Sequence, residues 1–323
     1  MTLATCSKAP QKAEGPNALP LSEAHKKLIR VCKEDFGYDV KVFPLENTVW
    51  VYLPLSKSFF DIKATDEGPK SSNTHHDSFT INFLDGVYST GTFSFEYDIE
   101  PSRLYDKSYG YTYSLEELQK AQGNILRAIK SAYSDSEIVP ENARSANGPK
   151  DETDYYFKYD NVPEFFVTVI ADIEKGLELK TTASYYDISR TLTDPTFSEE
   201  YLKRIIVDNT IGSKKIIQDK AGTHLEIKAM TWGDFLAKQI VHRVNYQFLN
   251  TAFPPMEKVN EEIFKIVSEA FEVYSFNSFE AIRLHDLQKD TTASVEKAQL
   301  YQYKDAKPKS KYFIYNFSPE DLK

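Results

Sequence analysis

Two apolar rhythms alternate along this chain, and together they limit the folds open to it. Leu28, Ile29, Cys32 and Phe36 recur at helical spacing, with Ser22 placed to cap the start and Gly37 to end the run. Directly afterwards the period falls to two. Residues 38–43 alternate, and residues 48–53 (Thr-Val-Trp-Val-Tyr-Leu) are β-branched and aromatic, with a loop expected at 44–47. Helical side chains repeat every ~3.6 residues and strand side chains every ~2, so neither element can carry the other's pattern. The chain is therefore expected to be α+β, with antiparallel β-hairpins packed against amphipathic helices.

The same succession returns further on. Residues 79–83 and 92–97 read as strands. Ser114 and Glu117 have the spacing of a capping box, opening a helix whose face carries Leu118, Ala121, Ile125, Ile129 and Ala132. Strands are expected at 155–159, 165–173 and 177–186, with Glu174-Lys175-Gly176 as the turn between the last two. A helical block follows at 198–210 and 231–249. Another helix carries Val259, Ile263, Ile266, Val267, Ala270, Phe271 and Tyr274, before extended segments at 279–284 and 300–303. The order helix, strand, strand thus occurs three times, without the fixed spacing of a solenoid. The organisation expected is a flexible arm at 1–19, an α+β module at 20–133, a linker or mobile loop at 134–154, and a second α+β module with extra helices at 155–323. Segment 134–154 earns its separate status by being polar, aperiodic and long for a connection inside a compact domain.

Composition narrows the partners. The net charge is −9 and no basic patch interrupts it, so phosphate backbones are repelled and nucleic acid is not an expected partner. The longest apolar run, at 165–171, falls well short of the ~20 residues of a membrane helix, and a water-soluble body is expected. Aromatic residues make up 14% of the chain, which suits half-buried strand positions or a stacking surface for sugars or peptides.

The chain has 2 cysteines, Cys6 and Cys32. Cys32 lies in the first helical stripe, where a thiol behaves as a small hydrophobe. Cys6 sits differently, in Leu3-Ala4-Thr5-Cys6, followed by a polar stretch rich in Pro, Ala, Gln, Glu and Asn up to Pro20. This tetrapeptide resembles the lipobox of bacterial lipoproteins, in which the cysteine is lipidated and becomes the new amino terminus ahead of a flexible tether. It departs from the usual pattern at Thr5, where a smaller residue is commoner. The resemblance implies lipidation at Cys6, a secretory leader encoded upstream of Met1, and a place in the cell envelope or periplasm.

No complete catalytic signature is present. There is no Gly-rich phosphate loop, nucleophile elbow, paired-histidine zinc helix or cysteine cluster, so neither a cofactor nor a metal is expected. His75-His76-Asp77 offers metal-ligating side chains, but adjacent residues rarely converge on one ion. His224 and Glu226 would share one face of a strand at 223–227, with Leu225 and Ile227 on the other. Along the helix from Thr231, the residues Trp232, Leu236, Ile240 and Val244 form an apolar stripe, and Arg243 falls inside it. A guanidinium there needs a carboxylate partner, because a lone buried charge is costly. It either binds an anion in a cleft or is a structural ion pair. His224, Glu226, His242 and Arg243 are the candidate ligand-binding residues. The function expected is a non-catalytic extracytoplasmic bacterial protein that binds an unknown protein or envelope partner, with a lipid anchor through Cys6. The alternatives are a hydrolase built on those four residues, and a cytoplasmic interaction protein.

Overall fold

The computed structural model describes residues 21–64, 79–101, 109–113, 115–133, 162–192, 198–250 and 258–303. The fold is α+β, with antiparallel hairpins and amphipathic helices. Helix α1 (Glu23–Glu34) starts where the sequence places it. The Ser22 hydroxyl accepts from the His25 amide, and the His25 ring accepts from the Ser22 amide, so two free donors of the first turn are satisfied together. Gly37, at φ 75°, takes the left-handed conformation that ends the helix. The helix buries Leu28 and Cys32, and burial pushes the Cys32 thiol up to about 12.

Strands β1 (Lys41–Leu45) and β2 (Thr48–Pro54) form the first hairpin. The turn is tighter than the sequence suggests. Pro44 belongs to β1, opposite Val49, and only Glu46 and Asn47 turn the chain. Proline is tolerated there because β1 is an edge strand and its missing N–H breaks no ladder. Strands β3 (Phe60–Ala64) and β6 (Tyr109–Tyr113) pair with each other, and β4 (Phe79–Ser89) and β5 (Thr92–Pro101) make a long hairpin. Helix α2 (Leu115–Ala132) buries Leu118, Ala121, Ile125, Ile129 and Ala132, the face read from the sequence.

Strands β7 (Phe165–Asp172) and β8 (Leu177–Ser184) come next, then α3 (Tyr185–Thr191), α4 (Ser198–Arg204) and β9 (Ile206–Thr210). Residues 206–210 are thus a strand and not the tail of a helix. They add an edge to β8, where their polar residues face outward. Helices α5 (Trp232–Asn250) and α6 (Val259–Val273) precede β10 (Ala281–Asp286) and β11 (Thr291–Glu296), and the short α7 (Lys297–Leu300) runs into a 3-10 turn at Tyr301–Tyr303. The extended segment expected at 300–303 is therefore helical. Leu300 is buried by this geometry. The helix-strand-strand succession occurs as α1-β1-β2, α2-β7-β8 and α6-β10-β11.

The main sheet has the order β1-β2-β7-β8-β9, and the other large sheet β11-β10-β5-β4. Both are mixed. β2 runs parallel to β7 from Thr48↔Phe165 to Pro54↔Ala171, and β5 runs parallel to β10. Each sheet joins strands that precede residue 134 to strands that follow residue 154. The helices fill the space between the sheets. Phe235 of α5 packs on Phe165 of β7, while Phe271 of α6 packs on Phe93 of β5. The far face of the main sheet carries a smaller core of Trp50, Tyr52, Val167, Val169 and Ala171, joined by Ile216. Capping box residue Ser114, the segment 134–154, the strand expected at 155–159 and the His75-His76-Asp77 triplet lie outside the described residues.

Gly176 closes the β7–β8 turn and marks where a later segment crosses that far face. Its φ is 66°, and a Cβ there would stand 2.5 Å from the Ser213 carbonyl oxygen. The obstacle is backbone, which cannot rotate away. Gly176→Ala is expected to lower stability by about 1–3 kcal/mol, read as a shift of the chemical denaturation midpoint.

Candidate functional site

Of the candidate residues, His224 and Arg243 stand in two separate clusters. The first is built on the strap, residues 211–231, which crosses the far face of the main sheet without joining it. The sequence alternation at 223–227 suggests a strand, but the structure has turns and irregular chain there. The cause is Asp219. Its carboxylate accepts from the amides of Ala221 and His224 and from the Thr223 hydroxyl, so the local backbone folds around a side chain instead of a ladder. The strap is also pinned from below. The Trp50 indole donates to the Lys228 carbonyl at 3.0 Å, the Tyr52 hydroxyl to the Asp219 carbonyl at 2.7 Å, and the Met230 amide to the Thr48 hydroxyl at 2.9 Å.

His224 is held between two carboxylates. Its Nδ1 lies 2.7 Å from Asp219 Oδ2, and its Nε2 lies 2.7 Å from Glu178 Oε2 on β8. The three side chains are only 8%, 12% and 10% exposed respectively. The Tyr52 ring meets the imidazole edge-on at 5.7 Å. Burial, with help from Asp219 and Glu178, holds the Tyr52 hydroxyl above its ordinary range. Glu226 takes no part in this cluster. Its side chain is exposed, 3.6 Å from Lys228 Nζ. The expected pairing of His224 with Glu226 across a strand face is thus replaced by His224 with Glu178, and the strand itself by a turn.

The second cluster lies among the helices. Arg243 is 7% exposed, within the α5 stripe. Its Nε donates to Gln239 Oε1 at 3.3 Å, and its Nη2 stands 3.8 Å from Glu200 Oε1 on α4. Arg204, the last residue of α4, is more tightly bound. It reaches Glu200 Oε1 at 3.0 Å and Asp187 Oδ1 at 3.1 Å. Asp187 also accepts from the hydroxyls of Ser184 at 2.7 Å and Tyr274 at 2.6 Å. The Gln239 amide group donates to the Arg204 carbonyl and to Tyr274 Oη. Burial opposes the charge on both guanidiniums. In Arg204 the two carboxylates and Tyr274 outweigh it and raise the pKa, whereas in Arg243 burial prevails and lowers it. His242, the neighbour of Arg243 on α5, is half-buried.

Two open pockets accompany these clusters. One, of about 410 Å³, lies where the strap meets the ends of β2 and β7, lined by Leu55, Ser56, Glu174, Ile217, Gln218 and Lys220 among others. The other, of about 380 Å³, lies between the β4–β5 turn and the start of α5. Among the described residues no group of His, Cys, Asp and Glu is arranged to hold a metal ion, and no helix is long and apolar enough to cross a membrane. No family model matches the chain, and neither a curated protein nor a solved structure shows significant similarity to it.

Sequence reasoning placed Arg243 in a buried stripe but missed Arg204, Asp187 and Glu200. The Glu200–Arg204 spacing of four residues was the available signal. Asp187 had none, because it stands alone in an aromatic helix start.

These geometries set the mutational response. Arg204→Ala strands both Asp187 and Glu200 and is expected to cost roughly 3–5 kcal/mol in denaturant titration. Arg243→Ala leaves Glu200 with Arg204, so it should cost less, and Arg243→Met should be milder still because the aliphatic stem keeps its packing.

Asp219 sets an acid response. Burial alone would raise its pKa, but the His224 amide and ring and the Thr223 donors outweigh that and hold it at about 2. A carboxylate depressed in the folded state contributes stability above its unfolded pKa of ~3.9. That contribution is lost as the pH falls from there toward about 2. Asp219→Asn should flatten this part of the stability–pH curve, measured by denaturation midpoints at successive pH values.

Proposed function

We propose that this chain is a non-catalytic protein of the bacterial cell envelope, anchored through a lipid on Cys6, whose folded body binds a protein or other envelope partner. The observation that carries the non-catalytic reading is how His224 and Arg243 are used. Both ring nitrogens of His224 face carboxylates, and the Arg243 guanidinium lies inside a helix-bound network. A general base needs a free nitrogen facing its substrate, and an anion-binding arginine needs free donors facing a cleft. Internal partners flank both His224 nitrogens, and the Arg243 guanidinium is buried among the helices, its Nε bonded to Gln239 and its Nη2 without a hydrogen-bond partner.

The anchoring half of the proposal rests on Leu3-Ala4-Thr5-Cys6 and the polar stretch after it, which ends just ahead of the Ser22 cap of α1. A lipidated cysteine followed by such a tether would hold the folded body off a membrane surface. One acyl chain binds only weakly, so firm anchoring needs the multiple chains that a lipoprotein cysteine carries.

Mass spectrometry of the protein from its native host tests this. The expected species begins at an acylated Cys6 and partitions into detergent, and Cys6→Ala moves the protein to the aqueous fraction. An intact Met1 with unmodified Cys6 overturns the anchor.

A further inference from the structure

We propose that the crevice at the carboxyl ends of β2 and β7 binds a small aliphatic zwitterion: a free aliphatic amino acid, or a dipeptide that carries the same groups. The proposal goes beyond the envelope reading and does not depend on it.

The place follows from the topology. β2 and β7 run parallel, and past their last residues, Pro54 and Asp172, the chain parts. One strand leads away toward β3, and the other turns back into β8. Diverging connections open a crevice outside the carboxyl ends of parallel strands, where such sheets take small ligands. Here that crevice is the pocket of about 410 Å³, and the strap supplies its remaining wall.

Main-chain bonds fix the walls. The Leu55 amide donates to the Ala171 carbonyl at 2.8 Å, which ties the end of β2 to β7. The Gln218 amide donates to the Ile173 carbonyl at 2.9 Å and the Ser213 amide to the Gly176 carbonyl at 2.8 Å, which tie the strap to the β7–β8 turn. A pocket held this way needs little ordering when a ligand enters. Gln218 adopts φ 67°, an uncommon left-handed conformation for a residue with a side chain. Just ahead of it Ile216 enters the far-face core, while Ile217 stays 42% exposed on the pocket wall.

The lining defines the ligand. Leu55, Ile173 and Ile217 offer an aliphatic surface, and Glu174 and Lys220 line the same crevice with opposite charges. Among the described residues neither charge is ion-paired, with the other or with a third group. The carboxylates close to them in sequence are already engaged. Asp172 accepts from the amides of Glu174 and Lys175, and Asp219 from Ala221, Thr223 and His224. A ligand that satisfies this lining carries an ammonium for Glu174, a carboxylate for Lys220 and an aliphatic group for the apolar wall. A purely anionic ligand is opposed by Glu174 and a purely cationic one by Lys220, so the crevice selects against both.

An NMR titration of the full chain tests this, following the amides of Ile173, Glu174, Ile217 and Gln218. The probes are leucine, leucyl-leucine, N-acetyl-leucine, leucinamide and alanine. Leucine or leucyl-leucine is expected to saturate with a Kd of ~1 mM or tighter, and which of them does so identifies the source. The other three probes should bind about tenfold more weakly, since each lacks one of the matched groups. Lys220→Met should abolish the preference over leucinamide and keep that over N-acetyl-leucine. Glu174→Gln should do the reverse, and Ile217→Ser should narrow the gap between leucine and alanine. All three positions are exposed, so the fold should tolerate these changes. Failure of both zwitterions to saturate at ~10 mM overturns the proposal. Equal affinity for all the probes overturns it too, as do charge preferences that survive in both variants.

Discussion

The parallel pairing of β2 with β7 is the constraint on which the rest of the molecule depends. Parallel strands lie in the interior of a sheet and must be covered on both faces. Here every residue of β7 is buried, and in β2 only Pro54 is not fully so. One face is covered by helices, as the amphipathic α1 and α2 require. The other carries Trp50, Tyr52, Val167 and Val169, and among the described residues no helix packs on this cluster. The strap is the cover for that face. Its backbone is bonded to the β7–β8 turn, where the Ser213 amide donates to the Gly176 carbonyl and the Gln218 amide to the Ile173 carbonyl, and across the rest of the face side chains fasten it: a tryptophan, a tyrosine and a buried histidine between carboxylates converge there.

The helix layer solves a different problem. Two guanidiniums and two carboxylates meet in one polar cluster, fed by α3, α4, α5 and α6. Gln239 shows how closely the network is specified. Its oxygen faces Arg243 and its nitrogen faces Arg204 and Tyr274, so the amide has one workable orientation. Apolar residues would satisfy the same volume without the desolvation cost of four charges. What the polar arrangement adds is direction: Arg204, Gln239 and Tyr274 meet their partners in one register of the helices, while the Arg243 Nη2 stays without a hydrogen bond. The asymmetry between the arginines follows from their partners. Arg204 has two carboxylates at bonding distance, whereas Arg243 shares one of them from 3.8 Å.

Much of the fold was legible in the sequence because periodicity reports which faces are buried. The α2 face and the phase of Arg243 on α5 were both readable this way. The misreadings have a common physical origin. Periodicity records burial and not backbone pairing. Leu225 and Ile227 alternate as a strand would, yet they alternate because they line the underside of a strap. Ile206 follows an amphipathic helix and looks like its continuation, but the strand it begins has a polar outer edge. Glu178 in Leu-Glu-Leu-Lys reads as a solvent-facing position, and it would be one if the strap were absent. The site was less legible than the fold because its members are distant in sequence. His224 and Glu178 are 46 residues apart, and Trp50 and Lys228 are 178 apart.

Glu178 also explains why the far face differs from an ordinary sheet core. A buried acidic residue at the turn end of β8 is unfavourable unless the cover supplies a donor. Replacing it with an aliphatic residue would seal the strap more simply. Retaining Glu178 makes closure depend on a polar partner from the strap, and His224 Nε2 stands 2.7 Å from it. The cluster of Glu178, Asp219 and His224 lies at the margin of the pocket that the strap forms with the ends of β2 and β7.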